Sequence, residues 1–406
     1  MNTELRIAVI GAGPAGVYSS DIFLRQLKKL GEELGLGTEA RIDLFEKLPV
    51  PFGLVRYGVA PDHPSIKFIA SALEKTLDNP NIHLYCDVEF GKDVTLDDLL
   101  ARYDAVLFAT GAVKDKPLNL PGADLEGVYG AAKFVEWYDG YPTGAREWPL
   151  TAENVAVIGG GNVAMDVART SLRLGAASVT VVYRRRIEDM TAQREEIEGA
   201  VAEGCEIMEL AAPLRVLEKD GCVIGLEVQP QVIGKFDRGR PKPVKADKPP
   251  QAIECDRVLM AVGQAVGASE LGADELPVEW GQVVTGPFGQ VEGMDGVFCG
   301  GDCESGPATV IRAIAAGKAA ARNIDEFLGF NHVIEQDVEI PAPHAADRMP
   351  CGRSNTTERS AEIRRRDFAM MECGLSDQEA SQESDRCLRC DKFGLGAFCG
   401  GREFSW

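Results

Sequence analysis

Two short apolar runs, each ending in a cluster of glycines, constrain this chain more than any other feature. The first is Arg6-Ile-Ala-Val-Ile-Gly-Ala-Gly-Pro-Ala-Gly16 and the second Asn154-Val-Ala-Val-Ile-Gly-Gly-Gly-Asn-Val-Ala-Met-Asp166. Both read as strand, tight turn and helix start. At such a junction the missing side chains let backbone come close to a pyrophosphate, while the helix N-terminus offers unpaired N–H groups and a partial positive charge. One such pattern alone is a weak signal. Two of them, with Gly11 and Gly159 148 residues apart, predict two dinucleotides, one held as a prosthetic group and one exchanged.

The surroundings of the first turn supply further parts. Val17, Ile22, Phe23, Leu27 and Leu30 share one face of a helix over residues 17–36, and Arg41-Ile-Asp-Leu-Phe-Glu46 reads as the next strand. Glu46 ends that strand as an acceptor for ribose hydroxyls, 30 residues beyond Gly16. The segment Leu48 to Pro64 is too rich in Pro and Gly for a helix or a central strand and is expected to be a shaped loop. A short strand over residues 82–88 follows, then Ala105-Val-Leu-Phe-Ala-Thr-Gly111, a strand that ends in small residues.

In the second turn Gly159, Gly161 and Ala164 take the three fingerprint places. The strand after it, Ser178 to Tyr183, ends in Arg184-Arg-Arg186 rather than in a carboxylate. Guanidinium groups in place of that acceptor suit a 2′-phosphate, so NADP(H) is expected over NAD(H). Residues 213–258 alternate as antiparallel strands, and the basic segment Lys235 to Lys248 reads as a solvated hairpin loop without a function. Val297-Phe-Cys-Gly-Gly-Asp302 is a buried strand with a terminal carboxylate, and Gly306-Pro-Ala-Thr-Val-Ile311 opens an alanine-rich helix. Asp302 can accept hydroxyl or N–H donors of a dinucleotide, and the helix start at Thr309 and Val310 can stabilise negative charge that develops on it. Cys299 and Cys303 read as packing residues.

Composition limits the alternatives. With 406 residues, 45% of them hydrophobic, the chain can build two or three domains. Its net charge of −20 opposes nucleic acid and anionic membranes as partners. No apolar run approaches the ~20 residues of a membrane span, and the early first strand leaves no room for a secretion signal, so a cytoplasmic protein is expected. Eleven cysteines then imply reduced thiols or metal ligation.

The wording of residues 48–64, followed by Lys67, resembles the adrenodoxin reductase family of FAD-containing ferredoxin-NADP reductases. The resemblance implies an α/β fold of two Rossmann-like dinucleotide-binding domains: a discontinuous FAD domain over 1–115 and 296–335, and an inserted NADP domain over 116–295. Leu54 and its neighbours would contact FAD. The FAD set expected is Gly11, Gly13, Pro14, Ala15, Gly16, Glu46, Lys47, Leu54, Val88, Ala109, Thr110, Gly111, Gly301, Asp302, Thr309, Val310 and Ile311. For NADP(H) it is Gly161, Asn162, Val163, Arg184 and Arg185. His63 and Asp166 would form a polar pair near the transfer site.

A second resemblance, to the glutamate synthase small-subunit branch of the same superfamily, rests on Tyr183-Arg-Arg, Met190-Thr-Ala192, Glu195-Glu196 and Ala200 through Glu203-Gly204. It implies that Glu196 lies near the nicotinamide ribose. Gly301-Asp302, where adrenodoxin reductases carry Gly-Trp, favours this branch. Arg364-Arg-Arg-Asp-Phe368, Gly374 to Ala380 and Asp385 to Asp391 resemble the cysteine-rich helical segment of those subunits, here in a C-terminal segment over 345–406. In that family thiolates of such a segment bind iron-sulfur clusters. Cys387 and Cys390 match the first pair, and Cys399 with Cys373 or Cys351 would complete four. The spacing after Cys390 departs from the pattern, so an iron-sulfur cluster, zinc, ligands shared with a partner, and a vestige all stay open.

The function expected is hydride transfer between NADP(H) and FAD, then electron transfer to an iron-sulfur carrier or partner subunit in a hetero-oligomeric complex. The alternatives are a subunit of a glutamate synthase-like or electron-bifurcating assembly, and a relay adapter that holds FAD without turning over NADP(H).

Overall fold

The computed structural model describes residues 5–34, 40–61, 63–112, 114–140, 154–237, 240–266, 276–330 and 352–386. Two five-stranded parallel sheets carry the two glycine turns. The first runs in the order Val297–Cys299, Ala105–Phe108, Leu5–Ile10, Ala40–Phe45, Ile82–Tyr85. The second runs Val128–Gly130, Arg257–Ala261, Asn154–Gly159, Ser178–Val182, Glu206–Met208. In each, the strand leading into the glycines is central, which sets its turn in the crevice at the carboxyl end of the sheet.

Parallel strands covered on both faces must be apolar at successive positions. Leu5–Ile10 obeys this: Ile7 and Val9 pack with Phe23, Leu27 and Ile324, while Ala8 and Ile10 pack with Phe90, Val106 and Phe108 on the opposite face. The second sheet divides likewise, with Val155 and Val157 facing Met165 and Ala168, and Ala156 and Ile158 facing Leu226 and Val228. The latter face is covered by the antiparallel strands Ala211–Lys219, Cys222–Asp237 and Gln251–Glu254, with Arg240–Lys245 extending the Cys222–Asp237 hairpin.

Two helices frame the first turn. Pro14–Leu34 leaves it directly, and Val310–Phe327 crosses close by, a Cβ at Gly317 falling 2.5 Å from the Ala15 carbonyl oxygen. That approach brings the start of the second helix to the first turn. The 48–64 segment is not pure loop. It contains one turn of helix at Gly53–Tyr57, and Pro64–Lys67 follows it. Proline at the first helical position loses no hydrogen bond, so composition alone misjudges the segment. Cys299 and Cys303 are buried, their sulfurs 3.2 Å apart.

The described part of the C-terminal segment holds two helices, Ala361–Arg364 and Asp377–Arg386. It packs on the second unit through Arg364. Among the described residues no helix is long and apolar enough to cross a membrane.

Candidate functional site

The first turn is built by backbone exclusion. Gly11 has φ +107°, its N–H donates to the Phe45 carbonyl at 2.8 Å, and a Cβ there would lie 2.4 Å from the Ala109 oxygen. Only glycine satisfies both demands. Gly16 packs as tightly, its Cβ position 2.1 Å from the Gly11 oxygen, which seats the helix on the turn. Gly13 has no such neighbour within 4 Å and faces open space.

That space is a cavity of about 530 Å³ spanning both units. Of the residues expected from the sequence, Gly11, Gly13, Pro14, Ala15, Glu46, Lys47, Leu54, Val88, Ala109, Thr110, Gly111, Asp302, Thr309 and Val310 line it from the first unit. Asn162, Val163, Asp166 and Glu196 line it from the second, and His63 stands between them. Gly16, Gly161, Gly301, Arg184, Arg185 and Ile311 do not line it. Gly161 caps the Asn162–Arg173 helix and Gly301 the short Asp302–Ser305 helix. Ile311 is 77% exposed, because the first turn of the Val310–Phe327 helix turns it away from the crevice.

Two carboxylates shape the first unit's end of the cavity. Glu46, only 7% exposed, accepts the Ala12 and Leu48 N–H groups, one on each oxygen, at 3.0 Å. Burial pushes its pKa up against those two bonds. Asp302 is raised by burial too, and its Oδ1 is buried without a hydrogen-bond partner among the described residues. An acceptor left open in a cavity calls for hydroxyl or N–H donors from a ligand. With the open Gly13 and two helix N-termini, from Pro14 and from Val310, these residues fit FAD: acceptors for its hydroxyls, backbone donors for its phosphates.

In the second unit Gly159 is crowded in the same way, its Cβ position 2.3 Å from the Ala261 oxygen. Asn162 Oδ1 accepts the Gln193 N–H at 2.8 Å and ties the helix start to the loop after the next strand. His63 Nε2 lies 3.6 Å from Asp166 Oδ1 and 3.8 Å from Glu196 Oε1. Glu196 in turn pairs with Arg169 Nη1 at 2.6 Å. The sequence-derived pair is thus a set of four groups, whose His63, Asp166 and Glu196 atoms lie within 4.8 Å of one another. Those are ligand types a metal ion accepts, but the position between two dinucleotide turns suits proton handling. Arg169 was missed by sequence reasoning. Its signal is a charged residue inside the otherwise apolar stripe of Met165, Ala168 and Leu172.

At the end of Ser178–Val182 the three arginines separate. Arg184 is exposed, Arg185 donates Nε to the Pro241 carbonyl at 2.8 Å, and Arg186 pairs with Asp189 at 2.9 Å. Behind the site, Glu203 is fully buried with Arg169, Arg173 and Arg364 around it at 2.8, 2.9 and 3.1 Å. Of the candidate metal ligands, Cys373 is exposed. Cys351, Cys387, Cys390 and Cys399 lie outside the described residues.

The family model for pyridine nucleotide-disulphide oxidoreductases matches residues 5–317. The chain belongs to that family. Its flavoproteins use FAD and NADP(H). The chain is 31% identical to the NADP(+)-dependent formate dehydrogenase subunit beta of Moorella thermoacetica, over 98% of its own length and 56% of the relative's. It is 30% identical to the NADPH-Fe(3+) oxidoreductase subunit beta of Geobacter sulfurreducens, over 97% and 62%. It therefore spans less than two thirds of these curated relatives. FprA of Mycobacterium tuberculosis in complex with NADPH has the same fold, with a TM-score of 0.72, 22% identity, and 96% of this chain and 90% of that one covered.

Proposed function

We propose that this oxidoreductase holds FAD in the first cradle, exchanges NADP(H) in the second, and passes electrons onward to an iron-sulfur carrier or partner subunit. The observation that carries this reading is the one cavity running from Gly11 and Asp302 to Asn162, Asp166 and Glu196. Bound FAD would supply the chemistry that takes a hydride as two electrons and releases them singly. The chain's own residues align and polarise. Glu46 and Asp302 accept ligand hydroxyls, and the Val310 helix start places partial positive charge where negative charge develops. Arg184 and Arg185 receive the 2′-phosphate.

His63, within reach of two carboxylates, holds or passes a proton at Nε2. The test is stopped-flow bleaching of the bound flavin by NADPH, with His63→Gln as the variant. Bleaching by the isolated chain excludes an adapter that only holds FAD. A bleaching rate whose pH profile is unchanged in His63→Gln removes the proton role.

The relatives' designation as beta subunits and the docked C-terminal segment favour service within a larger assembly in the cytoplasm. A pull-down that yields iron-sulfur subunits, with iron analysis of protein purified under argon, tests the assembly and the cysteine cluster together.

A further inference from the structure

The hairpin formed by Cys222–Asp237 and Arg240–Lys245 does not end free in solvent. Arg240 Nη2 donates to the Asp189 carbonyl at 2.7 Å and reaches Tyr183 Oη at 3.4 Å. One residue on, the Pro241 carbonyl accepts Arg185 Nε at 2.8 Å. Hairpin and post-strand loop are thus joined by two bonds in opposite directions, each from an arginine of one to a carbonyl of the other. Tyr183 is itself fixed over the second glycine turn. A Cβ at Gly160 would fall 2.5 Å from its ring, and its Oη donates to the Asp189 carbonyl at 2.9 Å. Arg240 therefore stands where the second strand of a dinucleotide unit meets the adenosine ribose.

The charges at this strand end are not equal. Arg186 is balanced by Asp189 at 2.9 Å and Glu188 at 3.8 Å. Arg184 is exposed, and the contacts of Arg185 and Arg240 described above are made to uncharged oxygens. A carbonyl satisfies one N–H of a guanidinium and leaves its positive charge and its other donors available. Three cations, two from the loop and one from the hairpin, thus sit on the two elements that meet at the end of one strand, with the Asp189 carboxylate also within electrostatic reach of Arg185. A dianionic phosphate monoester is the ligand class such a fork of donors recognises.

We infer that Arg240 is a specificity-determining residue, completing with Arg184 and Arg185 an anion site for the 2′-phosphate of NADP(H). The inference rests on the NADP(H) reading above and deepens it. It would give a function to the basic 235–248 segment, which the sequence alone leaves as a solvated hairpin loop.

The test uses the full-length, FAD-loaded protein and calorimetric titration with adenosine 2′,5′-bisphosphate and with adenosine 5′-monophosphate, each at low and moderate salt. Arg240→Gln keeps an N–H donor for the Asp189 carbonyl and removes the charge. It should weaken the bisphosphate about tenfold, as loss of one charge-assisted contact does, leave the monophosphate within about twofold, and lower the salt dependence of bisphosphate binding. Arg240→Lys, which keeps the charge, should retain part of the preference.

If Arg240→Gln binds the bisphosphate like the parent while Arg184→Ala is weakened, the inference is overturned and the NADP(H) reading stands. Equal weakening of both ligands makes Arg240 a hairpin clamp and overturns it as well. If neither variant loses bisphosphate affinity, the phosphate assignment itself falls.

Discussion

The two glycine cradles share the order of four strands, beside edge strands of different origin, and a crowded first glycine, yet they differ at the strand that follows. In the first, the strand Ala40–Phe45 leads into Glu46, buried and bonded to two backbone N–H groups. In the second, Ser178–Val182 leads into Tyr183 and then the exposed Arg184. The first cradle is also closed from a distance by Asp302 and the Val310 helix, which line the same cavity. On the proposed reading, one architecture serves for retention or for exchange, and the choice lies in a few residues at strand ends and in how much later chain folds back over them.

The hardest blow to this contrast is aimed behind the second cradle. Glu203→Ala would leave Arg169, Arg173 and Arg364 buried around a missing carboxylate, and breaking a buried ion pair of this kind costs about 3–5 kcal/mol. Thermal unfolding should show a large drop in Tm. If the second unit is the one braced by the C-terminal segment, protease cleavage after residues 352–386 come loose should begin there.

Glu46→Leu attacks the first cradle. It strands the Ala12 and Leu48 N–H groups, at about 1–3 kcal/mol each, and removes an acceptor from the cavity. The variant should purify with little flavin, read from the ratio of visible to ultraviolet absorbance, while its affinity for adenosine 2′,5′-bisphosphate stays near that of the parent. Loss of both ligands together would mean that the cradles are not independent.

Arg184→Ala with Arg185→Ala makes the converse cut. Flavin content should hold, and the preference for NADPH over NADH in kcat/KM should fall about tenfold to a hundredfold, as expected for charge-assisted contacts of roughly 1.5–3 kcal/mol.

The smallest effect lies on the seam between the two units. Lys67, at the end of the short Pro64–Lys67 helix beside the first cradle, pairs with Asp139 at 2.5 Å, where Asp139 caps the Ala131–Tyr138 helix. Burial still pushes the Asp139 carboxyl up to about 6, with Lys67 opposing it. The folded state then holds this proton more tightly than the unfolded one does. Stability from the group is present below the ordinary carboxylate range and is lost as pH rises through about 6. Asp139→Asn should therefore flatten the fall in Tm between about pH 4 and about pH 7.

What could be seen in the sequence was local. The glycine turns, Glu46, Asp302 and the Thr309 cap of the Val310–Phe327 helix each depend on a few consecutive residues, and the structure places Glu46 and Asp302 at one cavity with the first turn and the start of the Asn162–Arg173 helix. The Arg169–Glu203–Arg364 cluster could not be seen, because its members come from a helix interior, a helix end and a C-terminal segment that meet only after folding. Arg364 begins a run of three arginines, yet it is buried against Glu203. Arg240 hid for the opposite reason: a basic hairpin looks soluble, and only its docking on Asp189 gives it a place. Ile311 failed on helical phase, two residues past the Thr309 cap, whose neighbours do face the crevice.

The edge strand Val297–Cys299 completes the first sheet by pairing with Ala105–Phe108, with Val297 opposite Val106, 191 residues earlier. A contact of such sequence separation closes slowly, since a long loop must be ordered before the pairing can reward it. During synthesis the inserted second sheet, whose strands run from Val128 to Ala261, can be complete before this edge strand has left the ribosome. The first cradle, which also needs Asp302 and the Val310 helix, is then the last part of the two sheets to close. If this cradle holds FAD as proposed, flavin supply in the cell would act after the second unit has folded, and its shortage would leave an open sheet edge beside that unit, the kind of edge that invites aggregation.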